Sequence, residues 1–173
     1  MRNPLGYKVL RTYQQGEEIY ELVKKFTASY LHVIQDSLLI GHMNDSARSV
    51  PRNIAEGYGR NNTKQYYEFL GFSFGSLVEL LEDSLELEKD IKEGQRKTKD
   101  DNGALGDLSK IIKFCMGEKT MLKRQMERME EIAGEQGLLS QNQNIAKLME
   151  EKRRKEKEFD QWLAKELNKN KHK

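Results

Sequence analysis

Residues 63–93 decide the fold, and they read TKQYYEFLGFSFGSLVELLEDSLELEKDIKE. The stretch contains no proline, and its apolar side chains return every three or four residues, which is the period of an α-helix with one face toward a core. Asn62 and Thr63 are good N-cap residues, and Gln65 follows Asn62 at the spacing of a capping box. We therefore predict a helix over residues 63–93 whose core-facing residues are Tyr66, Leu70, Phe74, Leu77, Leu81 and Leu85.

The same period continues on both sides of this stretch. Before it, we predict helices over residues 10–33 and 34–59, and Pro51 predicts a kink in the second because proline removes one backbone hydrogen bond. After it, we predict a polar loop over residues 94–103 and a fourth helix over residues 104–133. The predicted core-facing residues of these three helices are Ile19, Leu22, Val23, Phe26, Tyr30, Met43, Ala47, Val50, Ile54, Leu108, Ile111, Ile112, Cys115, Met116, Leu122, Met126 and Met129.

The C-terminal segment has a different composition. Ser140 and Gln143 repeat the capping-box spacing, so a fifth helix is predicted to follow. Residues 147–173 hold ten Lys or Arg against six Asp or Glu, a local charge of +4, and such a segment cannot lie in a core. We therefore predict an all-α protein, with an antiparallel four-helix bundle over residues 1–139 and a charged helical C-terminal extension over residues 140–173.

The overall charge gives little sign of a nucleic-acid-binding protein. There are 30 Lys and Arg residues against 28 Asp and Glu residues, so the net charge is only +2 and any basic surface must be local. The N-terminus lacks the apolar run of a signal peptide, and no stretch approaches the ~20 apolar residues of a membrane span, so we expect a cytoplasmic protein without membrane contact. The single cysteine, Cys115, excludes an internal disulfide and favours a small core residue.

No arrangement of residues indicates catalysis. Glu79, Glu82, Asp83 and Glu86 share a face of the third helix, but no histidine stands three residues after a glutamate, so a solvated acidic face is favoured over a di-metal centre. The histidines are scattered, and no serine lies in a Gly-x-Ser-x-Gly setting. The glycines near residue 58 follow a helix rather than the strand that precedes a phosphate-binding loop. We therefore expect no enzyme activity, no metal and no cofactor.

Arginines recur at multiples of four in the second helix. Arg48, Arg52 and Arg60 can form one basic stripe, and two interpretations stay open, a phosphate-binding face or an ordinary solvated face. Two polar residues beside the apolar stripe of this helix are expected to point inward and to pair with the third helix. The members of this predicted structural network are Asn53, Glu56, Ser76 and Glu79.

Two glycines, Gly71 and Gly75, lie one helical turn apart in the third helix. Residues without a side chain let another helix backbone approach closely. We expect tight packing inside the bundle, with contact to another copy of the chain as the alternative.

Three motifs resemble a known family. They are SVPRNIAEGYGR at residues 49–60, Phe69-Leu70, and GSLVEL at residues 75–80. In this combination and at this separation they are similar to the bacterial four-helix-bundle family whose founding members are encoded in intervening sequences of large-subunit ribosomal RNA genes. The resemblance covers residues 7–90 well and the fourth helix more loosely. It implies a stand-alone bundle that binds ribosomal RNA or has no RNA role.

The segment after residue 121 is similar to an extended subgroup of this family that carries a suffix after the bundle. The matching residues are Leu122-Lys123-Arg124-Gln125, Met129-Glu130 and EQGL at residues 135–138, with Lys123 in place of an Asp and Gln136 in place of a Gly. The subgroup resembles accessory variability proteins of diversity-generating retroelements. Those proteins form pentameric barrels, and they bind a reverse transcriptase and its template RNA to support mutagenic cDNA synthesis.

The function we predict is the one that this second resemblance implies, a non-catalytic scaffold that assembles with copies of itself, with a reverse transcriptase and with structured RNA. The stand-alone bundle is the alternative. Two aromatic residues of the extension, Phe159 and Trp162, have no obvious apolar partner in the sequence pattern and are expected to bind the protein partner. The basic residues expected to contact RNA phosphates are Arg48, Arg52, Arg60, Lys123, Arg124, Arg128, Arg153 and Arg154.

Overall fold

The structure, a computed structural model, describes residues 5–60 and 62–135. Within these residues a one-turn 3-10 helix, Gly6–Val9, precedes four α-helices, and no strand is present. The helices are α1 (Arg11–Tyr30), α2 (Ser37–Gly59), α3 (Thr63–Lys92) and α4 (Asp101–Glu135). The predicted all-α class and the four predicted helices are confirmed. The predicted fifth helix and the charged extension over residues 140–173 lie outside the described residues. None of the described helices is long and apolar enough to cross a membrane.

Helices that follow each other in the sequence are antiparallel neighbours in the compact unit that ends at Met129. Between α1 and α2, the Asn44 amide donates to Thr27 Oγ1 at 3.1 Å. At the other end of α1, a Cβ atom on Gly16 would lie 3.3 Å from Val50. Between α2 and α3, the Ser73 hydroxyl donates to the Val50 carbonyl at 2.9 Å. Residue numbers therefore rise along one helix as they fall along the next.

Helix α4 closes the bundle by contacting both α1 and α3. Tyr30 Oη donates to Asp107 Oδ2 at 3.1 Å, and Thr12 Oγ1 donates to Gln125 Oε1 at 2.9 Å, so α4 runs antiparallel to α1. The Gln125 amide donates in turn to Tyr66 Oη on α3 at 2.7 Å. Helices α1 and α3 each contact both α2 and α4. Helices α2 and α4 therefore occupy diagonal corners of the bundle.

The core is built from the predicted apolar stripes, with two exceptions. Cys115 is buried, which confirms its predicted role as a small core residue. Leu85 and Met116 were assigned to the core, but 40% and 58% of their surfaces are exposed. Helices α3 and α4 have 30 and 35 residues, and over such lengths the inward-facing stripe drifts because 3.6 residues per turn matches no simple repeat. The inward positions next to the two misassigned residues belong to Ser84 and Glu118, both fully buried.

Glu118 is an acidic residue buried in this core. Its side chain is 0% exposed, and neither carboxylate oxygen has a hydrogen-bond partner. Burial raises the pKa of Glu118 to about 8, because an unpaired charge is very costly in an apolar interior. The sequence interpretation missed this residue because a glutamate in a charged helix is normally solvated.

The turn between α1 and α2 is longer than predicted. Two helices were expected to meet at residues 33 and 34, but six residues, 31–36, separate them. The reason is Asp36, whose carboxylate accepts a hydrogen bond from the His32 backbone at 2.8 Å and pairs with Arg96 at 2.7 Å. The predicted N-cap of α3 is confirmed at Asn62, whose side chain accepts a hydrogen bond from the Lys64 backbone at 2.8 Å.

The glycines at helix contacts are not those that the spacing suggested. A Cβ atom on Gly71 or Gly75 would meet nothing within 4 Å, so the expectation that they pack tightly inside the bundle is wrong. A close approach is found instead at Gly57, where a Cβ atom would lie 2.6 Å from Phe69 Cβ. Helix α2 continues without a break through Pro51, and the predicted kink stays a prediction.

Candidate nucleic-acid interface

Two of the predicted RNA-binding arginines of α2 are available for a ligand. Arg48 and Arg52 are exposed, and neither forms an ion pair with any residue that the structure describes. Arg60 is held differently, since its guanidinium pairs with Glu56 one turn earlier and lies over the ring of Phe69, 5.1 Å from the centroid. The predicted stripe therefore divides into two unpaired cations and one that is held between an acid and an aromatic ring.

Helix α4 carries a second basic face. Lys123 lies 3.9 Å from Glu127, while Arg124 and Arg128 are exposed and without an ion pair in the described part of the chain. The sequence interpretation missed Lys110 and Lys113, which are also exposed and unpaired there. Their spacing from Arg124 and Arg128 follows the helical period, and that signal could have identified them.

The structure does not bring the two basic faces together. Helices α2 and α4 lie at diagonal corners of the bundle, so their exposed faces point in different directions. The other predicted contacts, Arg153, Arg154, Phe159 and Trp162, lie outside the described residues.

The predicted polar network between α2 and α3 is not formed as expected. Glu79 accepts a hydrogen bond from Ser46 at 3.4 Å, and Glu56 pairs with Arg60 within its own helix. The half-buried side chains of Asn53 and Ser76 form no hydrogen bond within the described residues. The reason is register: in antiparallel helices, a bond between residues 46 and 79 moves Asn53 to the level of residue 72, two turns away from Glu79.

The acidic face of α3 does not form a metal site in the described part of the chain. No group of three or more His, Cys, Asp or Glu side chains is arranged there to hold an ion. Asp83 instead bonds to His42 Nδ1 at 2.7 Å, and this hydrogen bond together with the negative charge raises the pKa of His42.

Comparison with known protein families finds a match that covers most of the described helices. A family model described as "23S rRNA-intervening sequence protein" matches residues 8–113, which is well over half of the chain. The match takes in α1, α2, α3 and the first part of α4. The segment 122–138, with its separate resemblance, lies beyond it. A search of curated proteins finds no match.

Proposed function

Because the chain belongs to the 23S rRNA-intervening sequence protein family, we propose that it is a non-catalytic, cytoplasmic helical bundle that binds structured RNA through exposed arginines. Ribosomal RNA is the first candidate ligand. The observation that carries the proposal is the pair Arg48 and Arg52, which are exposed and free of ion pairs within the described residues. Guanidinium groups in this state bind phosphates without first breaking an internal contact.

Binding of this kind is expected to be strongly salt-dependent. Each neutralised phosphate contributes about −0.7 to −0.9 to the slope of log affinity against log salt. The double substitution Arg48→Gln and Arg52→Gln should therefore flatten the slope by roughly 1.5, while the bundle stays folded because exposed cations contribute little to stability. The measurement is a salt titration of binding to a ribosomal RNA fragment.

Lys24→Gln is the matched control, because Lys24 is an exposed cation of α1 that already pairs with Glu21 at 3.0 Å. It should leave the slope unchanged. An unchanged slope in the arginine variant as well would place the RNA site away from α2.

A second candidate function is an accessory subunit of a diversity-generating retroelement. The observation that favours it is the suffix at residues 122–138, which resembles that subgroup and lies outside the family match. In this role the protein would be a homopentamer that binds a reverse transcriptase through Phe159 and Trp162 and the template RNA through its arginines. A reverse transcriptase gene with paired repeats beside the gene for this chain would support this candidate over a stand-alone protein.

Self-assembly can be tested at Gly75 of α3. Because a Cβ atom on Gly75 meets nothing within 4 Å, Gly75→Leu should leave the single bundle folded. If this face packs against another copy, the same substitution should convert an oligomer to monomers in light scattering. Gly41 of α2 is equally open, so Gly41→Leu is the control. A wild-type chain that is monomeric at micromolar concentration contradicts the pentamer.

A further inference from the structure

The α2–α3 surface carries an exposed aromatic pair that the proposed RNA contacts do not use. Phe72 of α3 is 60% exposed, although it is a large apolar residue. Its ring meets Phe69 edge-to-face, with centroids 5.6 Å apart and planes at 89°. The Arg60 guanidinium lies over Phe69 at 5.1 Å. Phe69 is therefore covered by a cation, and Phe72 extends the pair with a ring that is open to solvent.

The register of the two helices places polar groups without hydrogen bonds beside this ring. Ser73 is bonded to the Val50 carbonyl, so the preceding residue, Phe72, lies at the level of residues 50–53 of α2. Asn53 is half-buried at that level, and its amide forms no hydrogen bond within the described residues. Ser76, one turn after Phe72, is in the same state. Both side chains therefore offer hydrogen-bonding groups at the surface that no internal contact occupies.

The two exposed arginines on the α2 side of the ring favour a polyanion, against one exposed acid of α3, Glu68, which lies one turn before Phe72. Arg52, next to Asn53 in the chain, is exposed and unpaired among the described residues, and Arg48 lies one turn before it. The acid of this segment, Glu56, is already paired with Arg60. A ligand with an aromatic face, hydrogen-bonding edges and a negatively charged backbone matches all of these groups.

We propose that the α2–α3 surface around Phe72 binds an unpaired nucleobase of the RNA. The base stacks on Phe72, its edge bonds to the Asn53 amide, and the adjoining phosphate contacts Arg52. Unpaired bases are the parts of RNA that aromatic side chains recognise, since bases within a duplex present no free face. This proposal rests on the proposed RNA-binding function and adds which part of the RNA is recognised.

The test compares Phe72→Leu with wild type on a single-stranded RNA oligonucleotide and on a duplex of the same length. Stacking on an aromatic side chain contributes about 1–3 kcal/mol per base, so Phe72→Leu should weaken single-strand binding by roughly 5- to 150-fold. Duplex binding and the salt slope should not change, because no phosphate contact is lost. Phe72→Tyr keeps the ring and should restore binding. Leu85→Ala, at another exposed apolar residue of α3, is the control.

Asn53→Ala provides a second, independent variant. It removes the group that contacts the base edge, and it should reduce single-strand affinity without lowering the melting temperature, because this amide makes no internal hydrogen bond. If wild type binds single-stranded RNA and Phe72→Leu binds it equally well, the stacking proposal is overturned and the proposed function stands. If Phe72→Leu changes the oligomer size rather than the affinity, the ring belongs to a protein contact and the proposal fails. If wild type binds neither RNA at low salt, the proposed function itself fails.

Discussion

Replacing Glu118 by glutamine is expected to raise the free energy of unfolding by several kcal/mol above pH 8 and to have little effect below pH 4.5. Burial raises the pKa of Glu118 from its ordinary 4.5 to about 8, and this difference corresponds to roughly 5 kcal/mol of destabilisation once the carboxyl is ionised. Glutamine has almost the same shape and carries no charge. The gain is somewhat smaller than the full difference, because the amide is also left without partners.

The direction of the pH dependence follows from which state holds the proton. Below pH 4.5 the carboxyl is protonated in both the folded and the unfolded chain. Between 4.5 and about 8 only the folded chain keeps the proton, so the stability of the wild type falls as the pH rises. Above this window both states are ionised, and the destabilisation is complete.

The measurement is urea unfolding of wild type and Glu118→Gln across this pH range. The free energy of unfolding of the variant minus that of wild type should rise with pH and then level off. Glu82→Gln, at an exposed glutamate of α3, is the control and should leave the stability close to that of wild type, because an exposed charge contributes little. A flat difference curve for Glu118→Gln would mean that this carboxyl is not buried in solution.

Asp101 also makes the stability depend on pH, but in a lower pH range than Glu118. Hydrogen bonds from the Thr98 backbone and side chain, and then from Lys97, lower the pKa of Asp101 to about 2. A depressed carboxyl pKa stabilises the folded chain above its ordinary value of 3.8, and this contribution is lost only as the pH falls toward 2.

Gly57→Val is expected to destabilise the bundle by roughly 3 kcal/mol. A Cβ atom at this position would lie 2.6 Å from Phe69 Cβ, 2.9 Å from a ring carbon of Tyr66 and 3.3 Å from the Tyr66 carbonyl. Two of these atoms are fixed close to the backbone of α3, so the two helices would have to move apart. Because Phe69 also supports Arg60, the same movement should disturb the aromatic pair.

Thermal and urea unfolding of Gly57→Val and Gly41→Val form the matched comparison. Both glycines lie in α2, but a Cβ atom on Gly41 meets nothing within 4 Å. The control should therefore stay within about 1 kcal/mol of wild type. Equal stability of the two variants would contradict the close contact between α2 and α3 at Gly57.

The sequence alone determined the features that depend on neighbours within one helix. Apolar spacing identified all four helices and most core residues, because an inward face repeats every 3.6 residues whatever the helix packs against. Asn62 was identified as the cap of α3 because its side chain bonds to a backbone group only two residues away. The motifs at residues 49–60 and 75–80 identified the family, because each motif is a run of consecutive residues and needs no tertiary contact to be recognised.

Only the tertiary structure decided what depends on the register between helices. Spacing places Glu118 and Met116 on the helix but does not say which faces the core, and the structure buries the acid and exposes the apolar side chain. Likewise, the bond between Ser46 and Glu79 leaves Asn53 without its expected partner and beside Phe72. A sliding or rotation of one helix against another changes these contacts and leaves every pattern within each helix unchanged, so no such pattern could have predicted them.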